Sequence, residues 1–304
     1  MVIEVFVSII LPIFAVIGVG VLLGRLFALD AGTLSKLNFY VFVPAVLLAK
    51  TLDSDLSPAR FGVAMAFGVV HVLLMLAVSL VLFSVGPLKA HRRTLTLGAL
   101  FYNAGNYGLP LAQLAFGEEG LGIMAFLVVV QNLASFTLGL WLVADGQQGW
   151  RGALKQSLKA PVIYAILGGL LLNKLGIAPP QPVRIPIEIL ANGLIPVALL
   201  TLGVQLSRVR ISSQPLALSA LLAARLLLSP LLAAGLAAVG QLLFPEIAAV
   251  APILIVAAGL PVAVNVYILS AEYDREPELA SQMVFWTTLA SALSVTAWLV
   301  IYRW

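Results

Sequence analysis

The chain has 304 residues, 62% of them hydrophobic and 10% charged, with a mean hydropathy of +1.08, whereas a soluble globular domain has roughly 45–50% apolar and about 25% charged residues. That composition excludes a soluble enzyme or binding module and describes an integral membrane protein. The absence of Cys excludes disulfides, thiolate metal sites and cysteine nucleophiles.

The first residues, Met1-Val2-Ile3-Glu4, have no Lys or Arg ahead of the apolar run and no small-residue cleavage site after it. They are expected to begin a first membrane helix, not a signal peptide. Ten apolar runs follow, at about 3–27, 35–52, 61–86, 93–115, 119–143, 160–176, 185–206, 214–243, 246–271 and 280–302. Each is about as long as a helix needs to cross roughly 30 Å of hydrocarbon, and none has the short alternating pattern of an outer-membrane barrel. The expected fold is therefore all-α, with ten transmembrane helices. The longest connection, Asp145 to Lys159, contains Gln147-Gln148-Gly149-Trp150-Arg151 and is too short for a folded module. It divides the chain into 1–144, a cytoplasmic linker 145–159, and 160–304.

The two halves echo each other. Gly108-Leu109-Pro110 recurs as Gly259-Leu260-Pro261, 151 positions later; Pro44-Ala45-Val46-Leu47-Leu48 as Pro196-Val197-Ala198-Leu199-Leu200, 152 later; and Pro12 with Gly20 as Pro161 with Gly169, 149 later. Order and spacing held across three landmarks point to a duplication of five helices. The basic residues supply its sense. With the N-terminus outside, inside loops hold Arg25, Lys36, Lys89, Arg92, Arg93, Arg151, Lys155, Lys159, Arg208, Arg210 and Arg275, eleven in all, against Lys50, Arg60, Lys174, Arg184 and Arg303 outside. By the positive-inside rule both termini are outside, and the net charge of +4 reflects topology, not a nucleic-acid surface. Five helices per half is odd, so the second half enters from the opposite side: a 5+5 inverted repeat in an inner or plasma membrane.

The densest polar constellation is Tyr102-Asn103-Ala104-Gly105-Asn106-Tyr107-Gly108-Leu109-Pro110, in the fourth run. Pro110 has no N–H and its ring clashes one turn back, so the helix is expected to open near Asn106. The freed N–H end of a half-helix accepts an anion, and the amides of Asn103 and Asn106 suit a carboxylate without a buried cation. The alternative is a kinked helix whose Asn side chains repair the backbone. The ninth run carries the same break at Gly259-Leu260-Pro261, with Asn265 after it. If the halves are related by a twofold axis in the membrane plane, the broken helices 4 and 9 cross and face one cavity. The candidate substrate-binding residues are thus Asn103, Asn106, Gly108, Pro110, Pro261 and Asn265.

Ionisable groups inside the runs are few. His71 and Arg225 stand 154 positions apart, near-equivalents across the repeat. Arg225 reads as a structural lock on carbonyls of the opened ninth helix, the alternative being a counter-charge for substrate. His71 is either a proton carrier or a histidine packed between helices. Gln131 and Asn132 in the fifth run either extend the site as a support or coupling region with His71, or bond neighbouring helices. Glu272, Asp274, Glu276 and Glu278 read as a solvated cytoplasmic face. No grouping of ligand types suggests a metal.

On these residues the chain resembles the auxin efflux carrier family, which includes bacterial organic-acid carriers and the plant PIN-FORMED auxin exporters. The likeness rests on Asn103 followed by Gly108 and Pro110, on Arg225 to Pro230, on Leu260-Pro261 with Ala271-Glu272-Tyr273, Pro277 and Ser281, and on Gln131 after Val129-Val130. It covers nearly all of the chain except the loop around 145–160. The resemblance implies a scaffold of helices 1, 2, 6 and 7, a transport domain of helices 3–5 and 8–10 that moves against it like an elevator, and a homodimer. It also implies that Asn103 meets a substrate carboxylate at the Pro110–Pro261 crossover, with Gln131 in a support site. Two departures stand out. The long cytoplasmic loop of the plant exporters is absent, and no Asp or Glu occurs between Asp55 and Glu118, which leaves His71 the only titratable group of helix 3.

The expected function is secondary active transport of a small organic anion, a mono- or dicarboxylate or an auxin-like acid, without a cofactor; a proton or sodium remains open as coupling ion. The expected partners are the substrate and the lipid bilayer, and no nucleic acid. The alternatives are a sodium-coupled symporter of bile-acid type and, after it, a passive channel or transporter-like sensor. An intramembrane enzyme is not expected, since the runs hold no Asp pair, no metal cluster and a single histidine.

Overall fold

The computed structural model describes residues 1–52, 58–144, 161–209 and 214–303; the linker expected at 145–159 lies outside them. Apart from one isolated bridge, the regular structure of the described residues is helical. We number the helices α1 (Val2–Leu26), α2 (Ala31–Leu52), α3 (Pro58–Leu82), α4 (Arg92–Leu100), α5 (104–116), α6 (118–143), α7 (Pro161–Lys174), α8 (Gln181–Leu206), α9 (Pro215–Leu243), α10 (Glu246–Ala258), α11 (Val264–Glu272) and α12 (Pro277–Arg303). Among the described residues, seven continuous helical stretches are long and apolar enough to cross a membrane, and α5 with α6 counts as one of them, interrupted at Gly117 where φ is 64°. The shorter apolar helices α7 and α10 account for two more of the expected runs. Leu242, Leu293 and Ile189 are among the exposed apolar side chains such a protein turns to lipid.

Prolines shape several of these helices without breaking them. Wide π-type turns occupy 6–10, 38–42, 104–108 and 224–228, each ending two residues before a proline: Pro12, Pro44, Pro110 and Pro230. In each, the residue just before the proline donates its N–H five positions back, as Leu109 does to Ala104. The looser turn makes room for the ring that would otherwise strike the carbonyl one turn earlier. At the start of α2, Asp30 accepts from the N–H groups of Gly32 at 3.1 Å and Thr33 at 3.0 Å, and from the Thr33 hydroxyl. That hydroxyl bond, with the two N–H bonds, holds the exposed carboxyl below its ordinary range.

The fourth run opens at Phe101–Asn103, not near Asn106 as expected, because the wide turn at 104–108 absorbs Pro110 and leaves the helix intact there. The ninth opens at Gly259–Ala263. The two openings satisfy each other. The Asn103 N–H donates to the Pro261 carbonyl at 2.8 Å, the Ala263 N–H to the Phe101 carbonyl at 2.9 Å, and Tyr102 pairs antiparallel with Val262. In hydrocarbon, where no water replaces a lost helical bond, these two bonds let both helices stay open.

α1, α2, α7 and α8 pack on one another through small residues. Gly20 of α1 lies against Leu200 and Gly203 of α8, and Gly169 of α7 lies against Leu48 and Thr51 of α2. Leu48 and Thr51 stand 152 positions before Leu200 and Gly203, so one contact is made twice.

Candidate functional site

The paired openings leave two backbone N–H groups facing neither helix nor partner strand, and the two halves of the chain treat them alike. The Tyr102 N–H donates to Oε1 of Gln131 on α6 at 3.2 Å, and the Val262 N–H to Oγ1 of Thr287 on α12 at 3.0 Å. Thr287 spends its own proton on the Met283 carbonyl at 2.6 Å, so it can only accept from Val262.

Behind the openings, the C-terminal carbonyls of α4 and α10 share one partner. Arg225, fully buried, donates to the Ala99 carbonyl at 2.6 Å, to the Ala258 carbonyl, and to the Ser229 hydroxyl at 2.6 Å. Its guanidinium also lies 5.3 Å from the centre of the Tyr102 ring. Ser229 in turn donates to the Ala258 carbonyl at 2.8 Å. A cation is favourable at a helix C-terminus, and this one serves two. His71 belongs to the same cluster: its Nε2 lies 3.1 Å from the Ser229 carbonyl and 3.3 Å from the Ser229 hydroxyl, with Phe67 stacked on its ring. Neither Arg225 nor His71 reaches the cavity described next.

That cavity, of about 100 Å³, lies on the opposite side, where α5 and α11 begin. Ala104, Gly105 and Asn106 of the first turn of α5 line it, as do Ala263, Val264 and Asn265 at the start of α11. Two helix N-termini therefore present their partial positive charge to one space. Among the described residues its lining holds no Lys, Arg, His, Asp or Glu. A Cβ on Gly105 would meet no atom within 4 Å, so glycine here keeps the backbone accessible from the cavity.

Of the residues singled out from sequence, Asn103, Asn106, Gln131, Asn132 and Asn265 line this cavity together. Gly108, Pro110 and Pro261 do not. Gly108 is a packing position, where a Cβ would come within 2.9 Å of Leu260 and 3.0 Å of Met124. Pro261 contributes the carbonyl that Asn103 uses. Asn103 and Gln131 are each 5% exposed, with their oxygens engaged and their amide nitrogens, Nδ2 and Nε2, without a partner. An unpartnered buried donor costs about 1–3 kcal/mol, so a ligand that accepts from both recovers that cost.

Sequence reasoning passed over the opposite wall. Ser35 and Asn38 of α2 and Gln205 of α8 line the same cavity. Asn38, 3% exposed, donates to Oδ1 of Asn106 at 3.2 Å and to Thr201 at 3.4 Å, and Gln205 donates to Ser35 at 3.0 Å. Their signal was a polar side chain at the end of an apolar run, which reads as interfacial until the fold turns it inward. The cavity shares Ser35, Gln205, Val264 and Ile268 with a wider vestibule of about 530 Å³ that reaches Asp30, Arg208 and Glu278. Near that face Glu276 is more than a solvated acid, since it is paired with His91 and accepts from Thr94 at 2.5 Å.

Comparison with known proteins agrees with this architecture. The profile of a family described as "Membrane transport protein" matches residues 5–151 and 150–299. The chain is 28% identical to a "Putative malonate transporter" of Rhizobium meliloti (strain 1021) across 97% of this chain and 95% of that one. It is 29% identical to an "Uncharacterized transporter" of Methanothermobacter thermautotrophicus across 92% and 91%. With the profile spanning almost the whole chain, this protein belongs to the membrane transport protein family of auxin efflux carriers, and is a multi-pass membrane transporter.

Proposed function

We propose that this protein is a secondary transporter of a small organic anion, whose carboxylate sits in the cavity between the first turns of α5 and α11. The observation that carries this reading is the convergence of two helix N-termini with two unpartnered buried amide donors, Asn103 Nδ2 and Gln131 Nε2, in a space free of charged side chains. Such a site stabilises one negative charge without the permanent cation that would hold it too tightly to release. Its volume, below the ~150 Å³ of an engineered cavity that holds benzene, favours a compact aliphatic acid over an aromatic one. The name of the Rhizobium relative is consistent with that class.

The wider architecture of the proposal is a ten-helix 5+5 inverted repeat, residues 1–144 and 160–304, with its fourth passage made of α4 and α5 and its ninth of α10 and α11. Three doubled relations support it: the paired openings, the Gln131 and Thr287 partners of their N–H groups, and the Gly20 and Gly169 contacts. On this reading α1, α2, α7 and α8 are the scaffold of a homodimer, and the remaining helices carry substrate past it with an elevator motion. Both termini lie outside, and the vestibule then opens toward the cytoplasm of a cell bounded by this inner or plasma membrane. Coupling would need no cofactor; His71, engaged with Ser229 away from the cavity, is better suited to packing than to exchanging a proton with substrate.

Counterflow in proteoliposomes tests the proposal: at mildly acidic pH, where a large share of malonate is the monoanion, internal unlabelled malonate should accelerate uptake of labelled malonate, with and without sodium. Asn103→Ala should lower affinity by roughly tenfold to a hundredfold, the effect of losing one charge-assisted hydrogen bond, while the purified protein stays folded and melts earlier only by the roughly 1 kcal/mol that loss of the cap on the Asn106 N–H costs. Unchanged affinity would remove Asn103 from the site, and absence of exchange would remove carrier function.

A further inference from the structure

Asn38, Asn103 and Gln131 are buried and Gln205 is half-buried, and each of the four amides has a fixed orientation because at least one partner it uses can act in one direction only. Asn103 Oδ1 accepts from the backbone N–H of Asn106 at 3.1 Å, and Gln131 Oε1 from that of Tyr102 at 3.2 Å. A backbone N–H cannot accept, so both amide nitrogens are left over as donors. On the facing wall the hydroxyls have spent their protons. Thr201 donates to the Val197 carbonyl at 2.6 Å and Ser35 to the Ala31 carbonyl at 2.8 Å. Each must therefore accept, Thr201 from Asn38 and Ser35 from Gln205, which turns the two amide nitrogens toward the protein. The oxygens left over, Asn38 Oδ1 and Gln205 Oε1, are buried and without a partner.

On one wall Asn103, just before α5, and Gln131 of α6 thus hold two unused donors, and on the other Asn38 of α2 and Gln205 of α8 two unused acceptors, the four atoms lying buried beneath the lining of the cavity. Resting on the anion-site reading above, we infer that the substrate is a monoanion with a hydrogen-bond donor beside its carboxylate: a singly protonated dicarboxylic acid, a hydroxy acid or an acid amide. The carboxylate faces Asn103 and Gln131, and the O–H or N–H faces Asn38 and Gln205. A fully ionised dicarboxylate fits poorly, since its second charge would meet two amide oxygens and no cation. The arrangement also ties recognition to closure. The acceptors stand on helices assigned to the scaffold and the donors on helices assigned to the moving domain, so only a ligand with both groups satisfies the two walls at once.

Three ligands of nearly equal size separate the parts of this proposal in equilibrium binding to the purified, detergent-solubilised protein. Malonamate has a carboxylate and an N–H donor, monomethyl malonate a carboxylate without a donor, and methyl malonamate a donor without a carboxylate. Malonamate should bind about tenfold more tightly than monomethyl malonate, and methyl malonamate weakest of the three. Asn38→Ala with Gln205→Ala should erase the preference between the first two, a change of ratio that loss of stability alone would not produce. Equal binding of malonamate and monomethyl malonate by the unaltered protein would overturn the donor inference and leave the anion site standing. Binding of none of them, or of methyl malonamate as well as malonamate, would overturn both. Retention of the full preference in the double variant would remove Asn38 and Gln205 from recognition.

Discussion

Gly20 of α1 and Gly203 of α8 pack backbone against backbone, so closely that a Cβ added to Gly203 would lie 2.7 Å from the Cα of Gly20. Helices in lipid gain little from apolar side chains meeting one another, and close approach through small residues supplies van der Waals contact instead. At the matching contact Gly169 meets a side chain: its Cβ would lie 2.9 Å from the Cβ of Thr51 and would also strike the hydroxyl.

The two contacts should therefore respond differently to the same substitution. Gly203→Ala pushes against backbone that cannot yield, and should lower stability by about 1–3 kcal/mol, read as an earlier thermal transition in detergent. Gly169→Ala should cost a similar amount, but Thr51→Gly added to it should recover part of the loss. No such rescue is open to Gly203→Ala through a side chain. If Gly203→Ala melts with the unaltered protein, the close packing of α1 and α8 is not a source of stability.

Orientation can be read from two exposed positions in a chain without cysteine. Ala90, before α4, and Ala178, between α7 and α8, are exposed. With both termini outside, Ala90→Cys should react with an impermeant thiol reagent only after the membrane is opened, and Ala178→Cys in intact cells. Reaction of both from one side would overturn the inverted-repeat topology.

Much of this molecule was legible in its sequence wherever the governing chemistry is local or absolute. Gly-Leu-Pro located both interrupted runs, since proline and glycine act on their own backbone, and a buried arginine had to find carbonyls. What depended on tertiary placement was not legible. The fourth run opens seven or more residues before Pro110, because a wide turn accommodates the ring and the bridge between Tyr102 and Val262 holds the opening elsewhere. Asn38 and Gln205 looked like the polar ends of helices, and Thr287 like one hydroxyl among several in its run. Their roles arise only when α2, α8 and α12 are packed against the openings.

Arg225 is the clearest case of a charge whose partners are all backbone or structural. Arg225→Ala frees the carbonyls of Ala99 and Ala258 together, and each bond to a charged donor is worth about 1.5–3 kcal/mol. Expression and melting temperature should fall steeply, and the protein that survives should bind malonate with affinity close to that of the unaltered chain. A stable Arg225→Ala protein that has lost anion binding alone would make Arg225 a ligand of the substrate.

Gln131 and Thr287 perform the same backbone task in the two halves of the chain. Gln131 accepts from the Tyr102 N–H and Thr287 from the Val262 N–H, but only Gln131 also lines the cavity. Gln131→Leu and Thr287→Val each leave a buried N–H without a partner, at about 1–3 kcal/mol, so both variants should melt earlier by comparable amounts. Their binding should differ. Thr287→Val removes nothing that faces the ligand and should keep its affinity for malonamate, whereas Gln131→Leu also deletes a free donor and should lose about tenfold or more. Paired titrations and melts of the two variants decide the matter. Equal losses of affinity in both would mean that the ligand senses the shape of the openings and not the Gln131 amide, and the assignment of that amide to carboxylate recognition would fall.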